Sequence, residues 1–129
     1  MNSKKKGNAY EQKIARELRD LGWKDCETAR YASKRTDDSG IDFVGTRSFT
    51  IQAKATERTP TYSELLARMA KAEPDKMPLV FHKRNHKIQT VTMRKKDAYK
   101  LMIIYEGRRT RNMDQMLGRF GDGVRTLDA

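Results

Sequence analysis

The run Leu79-Val80-Phe81 constrains the fold of this chain more than any other stretch. Three consecutive apolar side chains on a strand point to both faces of a sheet, so both faces must be covered. Helices are the covering layers that the rest of the sequence offers. Tyr10, Ile14, Leu18 and Leu21 recur at helical spacing, which predicts a helix over Ala9 to Leu21 that stops at Gly22. Trp23 is expected to pack near its end. Pro60-Thr61 opens a second helix, with Thr61 and Glu64 spaced as a capping box. Tyr62, Leu65, Leu66 and Met69 give that helix an apolar face, and Pro74 and Pro78 bracket its exit. A third helix is predicted over Asp97 to Tyr105, with Ala98, Leu101, Met102 and Tyr105 inward.

Strands are predicted at Ile41 to Val44 and Phe49 to Ala55, joined through the hairpin-length turn Gly45-Thr46-Arg47-Ser48. Residues 27–39 read as polar and irregular. After Leu79-Val80-Phe81 comes a basic turn, Lys83 to Lys87, and then the alternating stretch Ile88 to Met93. The order is helix, strand, strand, helix, strand, strand, helix. It implies an α/β fold, a mixed central β-sheet flanked by helices. A length of 129 residues suits a single domain, 1–129. Residues 1–6 read as a flexible basic arm. The basic tail 106–129 either carries a short helix around Met113 to Leu117 or is mobile.

Charge narrows the partners. There are 28 Lys and Arg against 17 Asp and Glu, a net charge of +11. Such a surplus favours polyanions, with nucleic acid first among them. No apolar run approaches the ~20 residues of a membrane-spanning helix, and Met1 to Gly7 leads into no apolar segment of a secretory signal. The lone Cys26 leaves no intrachain disulfide and points to a reducing, cytoplasmic setting. With no partner pattern around it, Cys26 reads as inert. No glycine-rich phosphate loop is present, so NTP chemistry has no support.

The acids are unevenly spread. In residues 36–60, Asp37, Asp38, Asp42 and Glu57 outnumber Arg47, Lys54 and Arg58. An acidic island in a basic chain is a place for a divalent cation against a phosphate. On the strand from Phe49, alternation puts Phe49, Ile51 and Ala53 on one face and Thr50, Gln52 and Lys54 on the other. A hairpin would bring Asp42 and Gln52 within reach of one ion. Asp42 offers a carboxylate, Gln52 an amide oxygen and Ala53 a backbone carbonyl, which suits Mg²⁺ or Mn²⁺. Lys54 is placed to position water or to stabilise phosphate charge. Glu11 lies roughly 65° from the centre of its helix's apolar face, at 100° per residue, so it either reaches inward or remains a surface acid. Lys34-Arg35 and Lys83-Arg84 are either backbone clamps for DNA or solvated surface. His82 reads as a strand-end polar residue, His86 as exposed and Tyr62 as a packed helix residue.

The ordered set Glu11, Asp42 and Gln52-Ala53-Lys54 resembles the PD-(D/E)XK nuclease superfamily, and within it the archaeal and phage Holliday-junction resolvases. Gly7 with Glu11 four residues on, Arg30 with Ser33, Asp42 at a short strand and Gln52 to Lys54 on the next strand carry the likeness, over roughly residues 7–93. Two positions depart from the pattern: Ile41 replaces a Pro, and Gln52 replaces the second acid, which removes one negative charge. The resemblance implies a restriction-endonuclease-like fold and a metal-dependent endonuclease of branched DNA, acting in recombination and repair as a homodimer. The setting would be the cytoplasm, that of the host if the chain is phage-encoded. By the same resemblance Asp42, Gln52, Ala53 and Glu11 would hold metal, Lys54 would act on water, and Arg30 and Ser33 would meet the scissile phosphate. Lys4, Lys5, Lys6, Lys34, Arg35, Lys83 and Arg84 would contact the DNA backbone.

Overall fold

A computed structural model describes residues 3–29 and 39–116. The chain divides into two compact units, residues 1–93 and 94–129. The first contains α1 (Ser3–Asp20), β1 (Glu27–Thr28), β2 (Phe43–Val44), β3 (Phe49–Ala55), α2 (Tyr62–Ala72), β4 (Met77–Lys83) and β5 (Thr90–Thr92). The second contains α3 (Lys95–Met116).

Within the first unit, β3 pairs with β4 in parallel and β4 pairs with β5 antiparallel, giving a mixed three-stranded sheet. The register sets Ile51 beside Leu79, Gln52 beside Val80 and Lys54 beside His82. Ile51, Ala53 and Leu79 pack with Tyr10, Ile14 and Ala15 of α1. Val80 packs with Leu65, Leu66 and Met69 of α2, together with Ile41. The sheet therefore has one helix on each face, as the apolar run in β4 requires. The result is a mixed α/β unit in which the sheet is flanked by helices.

Several sequence expectations change. α1 starts at Ser3, so Lys4, Lys5 and Lys6 lie in its first turns and not in an extended arm. Leu21 falls beyond the helix and is 72% exposed. Thr61 sits at the N-cap of α2 without a side-chain cap hydrogen bond, because its backbone has not adopted the extended geometry that capping needs. A short strand, Glu27–Thr28, forms where irregular chain was expected, since β2 offers it an antiparallel edge. β5 begins at Thr90, leaving Ile88 in the irregular chain before it. α3 runs from Lys95 through Gly107 to Met116, well past Tyr105. Its inward residues were misassigned: Met102 is 61% and Tyr105 66% exposed.

The turn between β2 and β3 needs a glycine. Gly45 has φ +72, and a Cβ there would lie 2.2 Å from the Asp25 carbonyl oxygen. The chain after α1 is anchored as well. Arg19 donates to the Cys26 carbonyl at 2.7 Å and Arg47 to the Gly22 carbonyl at 2.9 Å. Trp23 meets the Phe49 ring edge-on at 6.4 Å. Among the described residues, no helix is long and apolar enough to cross a membrane.

Candidate active site

Asp42 is the hinge of the site. Its N–H donates to the Ile51 carbonyl at 2.9 Å, and its own carbonyl accepts from the Ala29 N–H at 2.7 Å. Its carboxylate Oδ2 accepts from the Ala53 N–H at 2.8 Å. Backbone and side chain together thus splice the β1–β2 ribbon onto the open edge of β3. A carboxylate held by a backbone N–H is a charge-assisted and therefore well-oriented contact. The expected hairpin of this segment with β3 does not form, because β2 pairs with β1 in a separate two-stranded sheet; Asp42, just before β2, still meets β3 at Ile51 and Ala53, on either side of Gln52.

In a strand, the N–H and C=O of one residue point to the same side, and successive residues alternate. Because the Ala53 N–H and the Ile51 carbonyl both face Asp42, the Ala53 carbonyl faces that edge too, away from β4. Gln52 lies on the α2 face and is 7% exposed. Alternation put Thr50, Gln52 and Lys54 on this face; Thr50 and Gln52 are buried there. Among the described residues the Gln52 Oε1 atom is buried with no hydrogen-bond partner. Gly40, at φ +82, lies beside it: a Cβ there would sit in ordinary contact, 3.5 Å, with both Gln52 Oε1 and the Arg68 side chain. The amide oxygen therefore reaches the chain two residues before Asp42.

An orphaned buried amide oxygen costs free energy unless something satisfies it. The Asp42 carboxylate, the Gln52 amide and the Ala53 carbonyl all offer oxygen, the donor type that a hard divalent cation takes. Glu11 is buried on α1, the layer over Ile51 and Ala53, on the opposite face of β3 from Gln52. Its inward reach on the helix edge is thus realised. Among the described residues no group of three or more His, Cys, Asp and Glu side chains is arranged to hold a metal. The donor set rests on one carboxylate, one amide and one backbone group.

Lys54 is half-buried and lines a groove of about 570 Å³ that it shares with Lys6, Arg58 and Leu65. A neighbouring cavity of about 440 Å³ is lined by Lys6, Lys13, Arg16 and Lys83 around Tyr10 and Ala55, with Glu57 as its one acid. Lys6, Lys13 and Arg16 share a helix face, at i, i+7 and i+10. That spacing was readable in the sequence, yet Lys13 and Arg16 were passed over because neither belongs to a charge run. Tyr10 beneath them is buried, with the Lys83 ammonium 6.0 Å from its ring centre. Burial, and after it the charge of Glu17, pushes the Tyr10 phenol up to about 12.

The loop after Lys54 is clamped. His82 Nε2 donates to the Thr56 carbonyl at 2.8 Å, and its Nδ1 shares a hydrogen bond with the Tyr62 hydroxyl at 2.9 Å. Arg84 donates to Thr59 Oγ1, and the Glu57 carboxylate accepts from the Asn85 N–H at 2.9 Å. His82 and Tyr62 thus do more than pack: they brace the strand end that carries Lys54. Arg84 is committed to the same brace. Arg30, Ser33, Lys34, Arg35, Asp37 and Asp38 lie outside the described residues. Cys26 is wholly buried, and burial pushes its thiol up, which disfavours the reactive thiolate.

Compared with protein-family models, curated proteins and solved structures, the chain matches none.

Proposed function

We propose that this chain is a metal-dependent endonuclease of the PD-(D/E)XK type, restriction-endonuclease-like in fold, that cuts branched DNA and most suitably a four-way junction. The observation that carries this reading is the Asp42 carboxylate seated on the Ala53 N–H, between the orphaned Gln52 oxygen and the groove-lining Lys54. Asp42, Gln52 and the Ala53 carbonyl would hold Mg²⁺ or Mn²⁺; Glu11, on the opposite face of β3 from Gln52, is left out of this set. When bound, the ion polarises the scissile phosphate and lowers the pKa of an attacking water. Lys54 stabilises negative charge developing on the phosphate, from a strand end fixed by the His82–Thr56 bond. Lys6, Lys13, Arg16 and Lys83 bind the backbone through the neighbouring basic cavity. Arg30, Ser33, Lys34 and Arg35 act on the phosphates from the segment leading to Asp42, and Lys4 and Lys5 extend the basic end of α1. Two copies, one per strand, would make paired cuts.

A labelled four-way junction incubated with Mg²⁺ or Mn²⁺ tests this. Paired nicks are expected, reduced about 100-fold or more in Lys54→Ala and Asp42→Ala. No cleavage of branched, nicked or linear DNA with either metal would overturn the proposal.

A second reading is favoured by Gln52 itself and by the single carboxylate at the β3 edge. The same fold would then be a nucleic-acid-binding module without turnover. Binding would persist in EDTA and be indifferent to Lys54→Ala. Gln52→Glu separates the two: a faster cut marks a working but weakened nuclease, and no cut in either form marks the module.

A further inference from the structure

The segment 98–105 of α3 is apolar almost all round its helix, and all its large apolar side chains except Leu101 are exposed. Tyr99 is 54% exposed, Met102 61%, Ile103 46% and Met113 49%. Tyr99, Met102, Glu106, Arg109 and Met113 follow one another at intervals of three, four, three and four. That is the a/d pattern of a coiled-coil seam. Its centre is charged: Glu106 and Arg109 pair within the helix at 3.5 Å, and both are more than half exposed.

The pattern is self-complementary in one direction only. Turned antiparallel about the midpoint between Gly107 and Arg108, the seam sets Met102 against Met113 of the partner subunit. The same turn sets Glu106 against Arg109 of the partner subunit. Each a position then meets a d position, and the two ion pairs close into a four-charge ring. In a parallel pair Glu106 would face its own copy and Arg109 its own copy, which like-charge repulsion disfavours. A charged centre in an apolar seam weakens pairing but fixes its register.

We propose that α3 is a self-association surface whose occupant is a second copy of the same helix, antiparallel, in register through Glu106 and Arg109. This deepens the two-fold assembly proposed above by naming its surface, but it rests on α3 alone and is read without DNA or metal. At about 1.5 Å per residue the seam from Tyr99 to Met113 is about 21 Å long.

The test is sedimentation equilibrium of the full chain at micromolar concentration, with circular dichroism to verify folding. A dimer is expected. Glu106→Arg alone and Arg109→Glu alone should each weaken it about tenfold or more, and the double exchange should restore it. Met102→Cys mixed with Met113→Cys should give the mixed disulfide in excess over either self-linked form. A monomer at tens of micromolar, charge variants that leave the dimer untouched, or preferential self-linkage of Met102→Cys would each overturn the proposal. Loss of cleavage with an intact dimer would bear only on the nuclease reading.

Discussion

α1 and α3 are long basic helices with apolar residues at helical spacing, and their circumstances are opposite. α1 has 18 residues and α3 has 22. Tyr10 and Ile14 of α1 are at most 4% exposed, under a sheet whose Ile51, Ala53 and Leu79 meet them. Met102 and Tyr105 of α3 are more than 60% exposed. An apolar stripe shows that a helix has a face to bury; it does not show what buries it. For α1 the answer lies elsewhere in the same chain, and the burial holds β3 in place. Through β3 it also holds Asp42, because the carboxylate of Asp42 is seated on a backbone N–H of that strand.

The contrast can be broken by mutation. Ile14→Ala should destabilise the fold by about 2–5 kcal/mol in a urea titration, since a buried branched side chain leaves a cavity under the sheet. A loss under about 1 kcal/mol would mean that α1 is not the cover of β3. Cys26, sealed between the end of α1 and β1, should react with a thiol reagent about 100-fold more slowly in the native chain than in urea. Native labelling at the unfolded rate would show that this end of α1 opens freely.

On the solvent side of α1, the joint Lys13→Ala and Arg16→Ala variant should lower DNA affinity uniformly across sequences in EDTA. It should also reduce the slope of log affinity against log salt by about two. The corresponding pair on α3, Arg108→Ala and Arg111→Ala, should change that slope less. Equal effects would remove the special role given to the basic cavity beside α1.

Tyr10 supplies a pH signature of the buried stripe. Its folded pKa, about 12, lies above the unfolded value of 10.0. The folded chain therefore holds the proton more tightly in that window. The stabilisation is fully present below pH 10 and is lost as pH rises towards 12. Denaturation at pH 9 and 11.5, compared with Tyr10→Phe, should show a steeper loss in the native sequence; identical slopes would argue against a buried phenol. The smallest effect belongs to α3. Ile104, 57% exposed and off the proposed seam, should change stability by no more than about 0.5 kcal/mol when replaced by Ala.

Local pattern made much of the first unit legible. The double-faced run in β4, the alternation along β3 and the stripes of α1 and α2 each follow from side-chain periodicity, and the layers follow from them. The approach of Asp42 to β3 was legible because only a short turn separates the two segments, but the predicted hairpin was not formed: β2 took β1 as its partner. Other features depend on contacts between distant segments and leave no local trace. β1 exists because β2 presents an edge to Glu27 and Thr28. His82 looked like a strand-end residue until Thr56 and Tyr62 were brought to its two ring nitrogens. Gln52 looked like part of a polar face until α2 closed over it.

By itself, the sequence determined which side chains share a face, where the chain must turn, and that basic flanks enclose an acidic stretch. These are consequences of backbone geometry and charge over a few residues. The tertiary structure decided which sheet face α1 and α2 each cover, that the Asp42 carboxylate is seated on Ala53, and that the Gln52 oxygen is buried with no partner among the described residues. It also decided that α1 finds its cover in the sheet, while Met102, Tyr105 and Met113 of α3 are exposed. Those outcomes depend on burial and on hydrogen bonds between segments far apart in the chain, and no local pattern encodes them.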